Sequence, residues 1–171
     1  ANRRYNPLAP DERDRFGQQM VALAYSRLVS DATTLNTTVY RNSASGSYDY
    51  FYLPDRYRFN LAHTWYGLTS AVNHQRGALR LFAGVNANDY ARAHRGYLQP
   101  STTLYDNTGH KSDLSAFLKA SYDVGRLRWF ADLQGRHAEF RYEPDANAGI
   151  TERSTDWTFF NPKGGVTLSL G

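Results

Sequence analysis

Lys111-Ser112-Asp113-Leu114-Ser115-Ala116-Phe117-Leu118-Lys119-Ala120-Ser121-Tyr122 decides the class of fold. Successive side chains of a strand point to opposite sides. Leu114, Ala116, Leu118, Ala120 and Tyr122 therefore share one face, and Asp113, Ser115, Lys119 and Ser121 the other. One face is apolar and the other wet. The run is also longer than an ordinary soluble strand, and it suits a sheet with lipid on one side and a watery lumen on the other.

The same two-residue period extends outward from this stretch in both directions. Downstream, a turn at 123–125 leads into residues 126–142, where Leu127, Trp129, Ala131 and Leu133 oppose Arg128, Asp132, Gln134 and Arg136. Residues 159–170 then set Val166, Leu168 and Leu170 against Lys163, Thr167 and Ser169. Upstream, 78–90 places Leu79, Leu81, Ala83, Val85 and Ala87 against Arg80, Gly84, Asn86 and Asn88, and 60–73 places Tyr66, Leu68 and Val72 against Gly67, Thr69, Ala71 and Asn73. Residues 34–43 and 16–29 form a first hairpin, with Leu35, Thr37, Val39, Val21, Leu23 and Tyr25 on its apolar side. The reading is about seven antiparallel strands in one domain spanning 1–171. Short turns are expected near 30–33, 74–77 and 123–125, and long loops near 1–15, 44–59, 91–110 and 143–158.

Alternately short and long connections are the habit of outer-membrane β-barrels, with short turns periplasmic and long loops extracellular. A charge on the lipid side at mid-depth costs about 2–4 kcal/mol, so the apolar set provides an internal check. Its charged members, Arg27, Arg41, Glu139 and Arg141, are expected near strand ends, and Pro162 at the start of its strand, where proline is tolerated. A soluble eight-stranded barrel with its apolar face turned inward would alternate in the same way. The regular connections, the strand lengths and the ionisable groups Arg80, Asp132 and Arg136 along the polar side favour the membrane.

Composition narrows the chemistry. With no cysteine among 171 residues, disulfides, thiolate metal sites and cysteine nucleophiles are excluded. Mean hydropathy is −0.64 and no run reaches the roughly 18 apolar residues of a spanning helix, a test that a barrel strand escapes because only alternate residues need be apolar. The aromatic content, 13 Tyr, 9 Phe and 3 Trp, exceeds ordinary packing needs and fits interfacial girdles. The net charge of +4 comes from scattered basic residues, so nucleic acid is not an expected partner. Residues 1–4 are not followed by an apolar leader core, which reads as a mature chain or an excerpt.

Several short stretches resemble the β-barrel of TonB-dependent outer-membrane receptors. Leu35-Asn36-Thr37-Thr38-Val39-Tyr40 followed by Gly46-Ser47-Tyr48-Asp49-Tyr50-Phe51 is similar to a recurring L-N-x-T-x-Y strand that leads to G-Y-Y-E-x-Y, with Ser47 and Asp49 as departures. Lys119-Ala120-Ser121-Tyr122 with Trp129-Phe130-Ala131-Asp132-Leu133-Gln134 resembles a K-A-x-Y hairpin that enters L-F-A-D-L-Q. Phe159-Phe160-Asn161-Pro162-Lys163-Gly164-Gly165 resembles F-F-N-P-K-A-G. The resemblance covers essentially the whole chain and implies an all-β fold of transmembrane strands, about seven from a barrel of about 22 with a plugged lumen. It further implies a mid-barrel excerpt without the plug, integral to the outer membrane of a Gram-negative bacterium and surrounded by its lipid. The implied function is uptake of a scarce solute, foremost a ferric siderophore or other metal chelate, driven through TonB by way of the plug. A small complete barrel acting as adhesin or passive porin is the second reading, and an outer-membrane hydrolase stands behind it.

No enzyme chemistry and no cofactor is expected. His63, His74, His94, His110 and His137 lack metal-site spacing, and they read as loop and interface residues. His110, Ser112 and Asp113 offer the residue types of a triad without a nucleophile elbow. Asp145, Asn147 and Asp156 lack the glycine placement and the bidentate glutamate of a calcium loop. The candidate ligand site lies in the long loops. Tyr48, Tyr50, Tyr52, Arg56 and Tyr57, with His94 and Arg95 as a second cluster, combine aromatic faces with guanidinium groups suited to anionic or aromatic ligands.

Overall fold

The computed structural model describes residues 12–170. Seven strands, β1 (Asp14–Ser30), β2 (Thr33–Tyr52), β3 (Asp55–Arg76), β4 (Leu79–Leu98), β5 (Thr102–Val124), β6 (Leu127–Glu143) and β7 (Arg153–Leu168), form one antiparallel sheet in chain order. The sheet is open, because β1 and β7 are its two edges and do not pair with each other. This is not the closed eight-stranded soluble barrel.

Register sorts the side chains. Directly opposed residues of an antiparallel pair share a face, so Leu23, Val39, Leu68, Ala87 and Leu114 make one continuous row across five strands. Leu35, Val72, Ala83, Leu118 and Leu133 make a parallel row nearer the short turns, with Thr37, Ser70, Val85 and Ala116 between the two. We call this the aliphatic face. The opposite, polar face carries Arg80, Asn86, Asp113, Lys119, Asp132 and Arg136, so the two sets read from the sequence separate as expected. Ion pairs cross the strands there. Lys119 Nζ lies 3.2 Å from Asp132, Arg136 Nε donates to Asp113 at 2.6 Å, and Asp123 accepts from Arg80 and Arg128.

The sheet has no dry core among the described residues. Its buried apolar residues are only Ala44 and Ala138, while Leu23 is 71% and Leu114 is 59% exposed. The backbone ladder holds the strands together, and the aliphatic face remains without a partner. Glycine helps on the polar face. Tyr40, Phe117 and Phe130 lie across their cross-strand partners Gly67, Gly84 and Gly165, and a Cβ built on Gly84 would stand 2.8 Å from the Phe117 ring. The ring occupies the room that the glycine leaves.

The connections differ from the sequence expectation. Residues 44–59 are not a loop, since β2 and β3 run on to Tyr52 and from Asp55 with only Leu53 and Pro54 between them. Residues 91–110 likewise belong to β4 and β5, joined at 99–101. The X-Pro bonds of both turns are cis. Of 143–158 only 144–152 are outside strands, and β1 already begins at Asp14, the remainder of 1–15 before residue 12 lying outside the described residues. Turns expected at 74–77 and 123–125 sit at 77–78 and 125–126, where Gly77 (φ 57°) and Gly125 (φ 59°) supply the left-handed residue of a two-residue hairpin. Arg41 stands inside β2, not at its end, with its guanidinium 5.9 Å over the Tyr66 ring. Pro162 is likewise inside β7, an edge strand of the described sheet, where a missing amide is tolerated.

Candidate functional site

The strand extensions beyond the aliphatic rows assemble a group of rings on the polar face. Alternation puts Tyr48, Tyr50 and Tyr52 of β2 on that face, and register places Tyr57 and Phe59 of β3, His94 of β4 and Tyr105 of β5 beside them. Phe59 is the centre. It stacks on Tyr48 at 4.9 Å between centroids and 30° between planes, and it meets Tyr57 at 6.5 Å, His94 at 6.5 Å and Tyr105 at 6.4 Å. Gly96, the cross-strand partner of both Phe59 and Tyr105, has no side chain, so the Tyr105 ring lies across it toward Phe59.

Polar edges orient the group. Tyr105 Oη and His94 Nδ1 are 3.2 Å apart, and burial, with the nearby Tyr48 adding to it, pushes the Tyr105 phenol above its ordinary pKa. The phenol stays neutral and can donate. Such a surface can stack on a flat ligand and hydrogen-bond its rim.

The arginines of the expected site lie elsewhere. Arg56, Arg58 and Arg95 fall on the opposite side of the sheet, along the extension of the aliphatic face. There Asp49, whose side chain is 1% exposed, accepts from Arg56 Nη2 at 2.7 Å and from Arg58 Nε at 2.7 Å. Hydrogen bonding from Arg58, more than from Arg56, outweighs the opposing effect of burial and holds the Asp49 pKa at about 2. Arg95 pairs with Asp106 at 2.9 Å. Tyr48, Tyr57 and His94 are thus brought together, Tyr50 and Tyr52 stand on the same face nearer the turn, and Arg56 and Arg95 are separated from all of them. Sequence reading passed over Phe59 and Tyr105. The signal was present in Tyr48-x-Tyr50-x-Tyr52 and Tyr57-x-Phe59, which alternate like strands.

Catalytic and metal arrangements do not assemble among the described residues. His110 and Ser112 lie on one face and Asp113 on the other. Asp145 accepts from the Asn147 amide at 2.8 Å as a local turn, while Asp156 is within β7. No three His, Cys, Asp or Glu side chains of the described residues converge on a common point.

No family model matches the sequence, and no curated protein matches it either. Solved structures do. The ferric citrate transporter FecA superposes with a TM-score of 0.74 over 94% of this chain at 12% identity, and the chain covers 26% of that structure. The fold is that of part of a TonB-dependent receptor barrel. The copper transporter OprC matches at 0.65 over 88% of the chain with 19% identity, and the ferric-catecholate import receptor Fiu from E. coli K12 at 0.66 over 94% with 8% identity. The chain spans 27% and 34% of those two, so it corresponds to about a quarter to a third of such a receptor.

Proposed function

We propose that the chain is a segment of a TonB-dependent outer-membrane transporter that takes up a scarce metal chelate, foremost a ferric siderophore. In this reading the aliphatic face meets lipid, the polar face lines the lumen, and the two-residue turns at 31–32, 77–78 and 125–126 are periplasmic. TonB supplies energy through a plug. The superposition on FecA over 94% of the chain is the observation that carries the proposal. The ferric and copper cargoes named for the similar structures belong to those proteins, and they motivate a metal complex as cargo here.

The ring group around Phe59 gives that cargo a place at the extracellular mouth. An aromatic ligand shell, such as a catecholate, would stack on Tyr48 and Phe59 and accept a hydrogen bond from Tyr105. The test is equilibrium binding of ferric catecholate, ferric hydroxamate and ferric citrate complexes to the full-length protein. Phe59→Ala and Tyr105→Ala should each weaken the preferred complex by about tenfold, the effect of removing one stacked, partly desolvated contact. Arg56→Ala, on the other face, should leave it unchanged. Equal affinity in all three variants with normal surface expression removes the ring group from the site, and failure of every complex to bind removes the chelate reading.

A further inference from the structure

The aliphatic face ends differently on its two sides. At the short-turn end of β5, β6 and β7 it carries Tyr122, Trp129, Val166, Leu127 and Leu168, with no charge inside the strands. At the same end of β1, β2 and β3 it carries Arg27, Ser30, Thr33, His74 and Arg76. The polar groups there are joined. Ser30 Oγ donates to Thr33 Oγ1 at 3.0 Å, and Thr33 Oγ1 and His74 Nδ1 are 2.8 Å apart. Arg27 and Arg76 flank this chain, both exposed and neither in an ion pair or side-chain hydrogen bond among the described residues. The one carboxylate within residues 27–35 and 72–81 is Asp31, in the turn itself.

Register gives the depth of these groups. In one row, Leu35 stands three residues from its turn, Val72 five from the next and Leu118 seven from the third. The turns thus step by two residues per hairpin, which tilts the strands by about 35° when the turns share one level. His74, Tyr122 and Trp129 are each three residues from their turns, so they stand at one height, about 8 Å above them. Aromatic girdles mark the border between hydrocarbon and headgroups. Arg76, one residue from its turn, and Arg27, four residues from its own, bracket that border. Cations stand on β1 and β3 where rings stand on β5 and β6.

We propose that this end of the aliphatic face holds an anionic phospholipid of the phosphatidylglycerol type, its phosphate on Arg27 and Arg76 and its acyl chains on the adjoining row of Leu35, Val72 and Ala83. The juxtaposition of two guanidinium groups without counter-ions and a hydroxyl–imidazole chain at girdle depth carries the assignment. It rests on the membrane orientation proposed above and is independent of the cargo. Guanidinium groups offer paired donors to phosphate and repel the ammonium of a zwitterionic head. When His74 Nδ1 accepts from Thr33, its Nε2 carries the proton and donates to a lipid oxygen.

The experiment purifies the full-length protein in detergent with equal amounts of phosphatidylglycerol and phosphatidylethanolamine and counts the retained lipids by native mass spectrometry. Phosphatidylglycerol should be retained at least about tenfold over phosphatidylethanolamine. Arg27→Gln combined with Arg76→Gln should remove that preference, and Thr33→Val, which keeps every charge, should reduce it severalfold. Arg126→Gln, a charge removed from the turn beside the rings, should leave it intact. Equal retention of the two lipids, a preference that survives the double variant, or one lost equally in Arg126→Gln overturns the assignment. Orientation is read separately from Asp31→Cys, compared with the unsubstituted protein, using a bulky maleimide that does not cross the outer membrane. Labelling only after the membrane is permeabilised, together with no lipid preference, sinks this inference alone. Any other labelling pattern sinks the orientation and this inference with it.

Discussion

The two halves of the sheet share one hydrogen-bonded ladder but use opposite hydropathy patterns. Near the two-residue turns, Leu35 and Val39 of β2 and Leu68 and Val72 of β3 put apolar groups on the aliphatic face. Near the Leu53-Pro54 turn the phase inverts. Tyr48, Tyr50, Tyr52, Tyr57 and Phe59 put rings on the polar face, while Ser45, Ser47, Asp49 and Arg58 occupy the other. Nothing in the β2–β3 register slips between the halves, which pair residue for residue from Thr33↔His74 to Tyr52↔Asp55. In the membrane orientation proposed above, the inversion marks a change of surroundings, from a setting where the outer side must be apolar to one where it must be wet.

A charge placed on the same face of each half should break this comparison most sharply. Leu118→Arg lies in the apolar rows and should cost about 2–4 kcal/mol, whereas Ala93→Arg in the far half should cost about 1 kcal/mol or less. Urea titrations of the full-length protein folded into lipid vesicles would show the gap. Equal costs would mean that both halves meet the same medium.

The next effect concerns room. Gly84→Val sets a branched side chain against the Phe117 ring and should destabilise the near half by about 1–3 kcal/mol through overpacking. Gly135→Val makes a useful control, because a Cβ there meets nothing within 4 Å. The same titrations separate the two variants.

Acid should act on the far half first. The Asp49 pKa is held at about 2, below the ordinary value, so its contribution is present in full above the unfolded pKa of about 3.9 and is lost as pH falls through 2. Hydrogen exchange of the backbone amides of β2 and β3 that flank the Leu53-Pro54 turn, corrected for the intrinsic rate, should therefore quicken between about pH 4 and pH 2. Asp49→Asn should show the quickened exchange already at neutral pH and little further change with acid.

The smallest effect tests the border between the halves. Arg41→Met removes the contact with the Tyr66 ring and should cost about 0.5–1 kcal/mol. A gain in stability would instead place Arg41 inside the apolar medium.

Strand number, faces and the aliphatic band were legible because Leu114 to Tyr122 and its neighbours alternate between aliphatic and polar groups, a contrast that hydropathy registers directly. The strand extensions were not. Where Tyr and Phe alternate with Ser, Asp and Arg, the phase of the pattern reverses, and a reversal without a bulge reads as the end of a strand. Gly46 and Gly96 deepened the misreading, since both look like loop residues yet each sits opposite a ring, Phe16 and Tyr105. The candidate site was half legible for the same reason. Tyr48, Tyr57 and His94 were found by composition, but only strand parity could separate Arg56 and Arg95 from them.

The pairs of ring and glycine make each such site a single letter written across two strands. Tyr40 and Gly67 are directly opposed, and an antiparallel pair has a local two-fold axis between opposed residues. Tyr40 and Gly67 could therefore trade places by descent at little cost when both change together, although either change alone leaves two rings in one space or none. Among relatives too distant to align by eye, these couplets should covary as exchanges, and they would fix the register of two strands where the identity of neither residue survives.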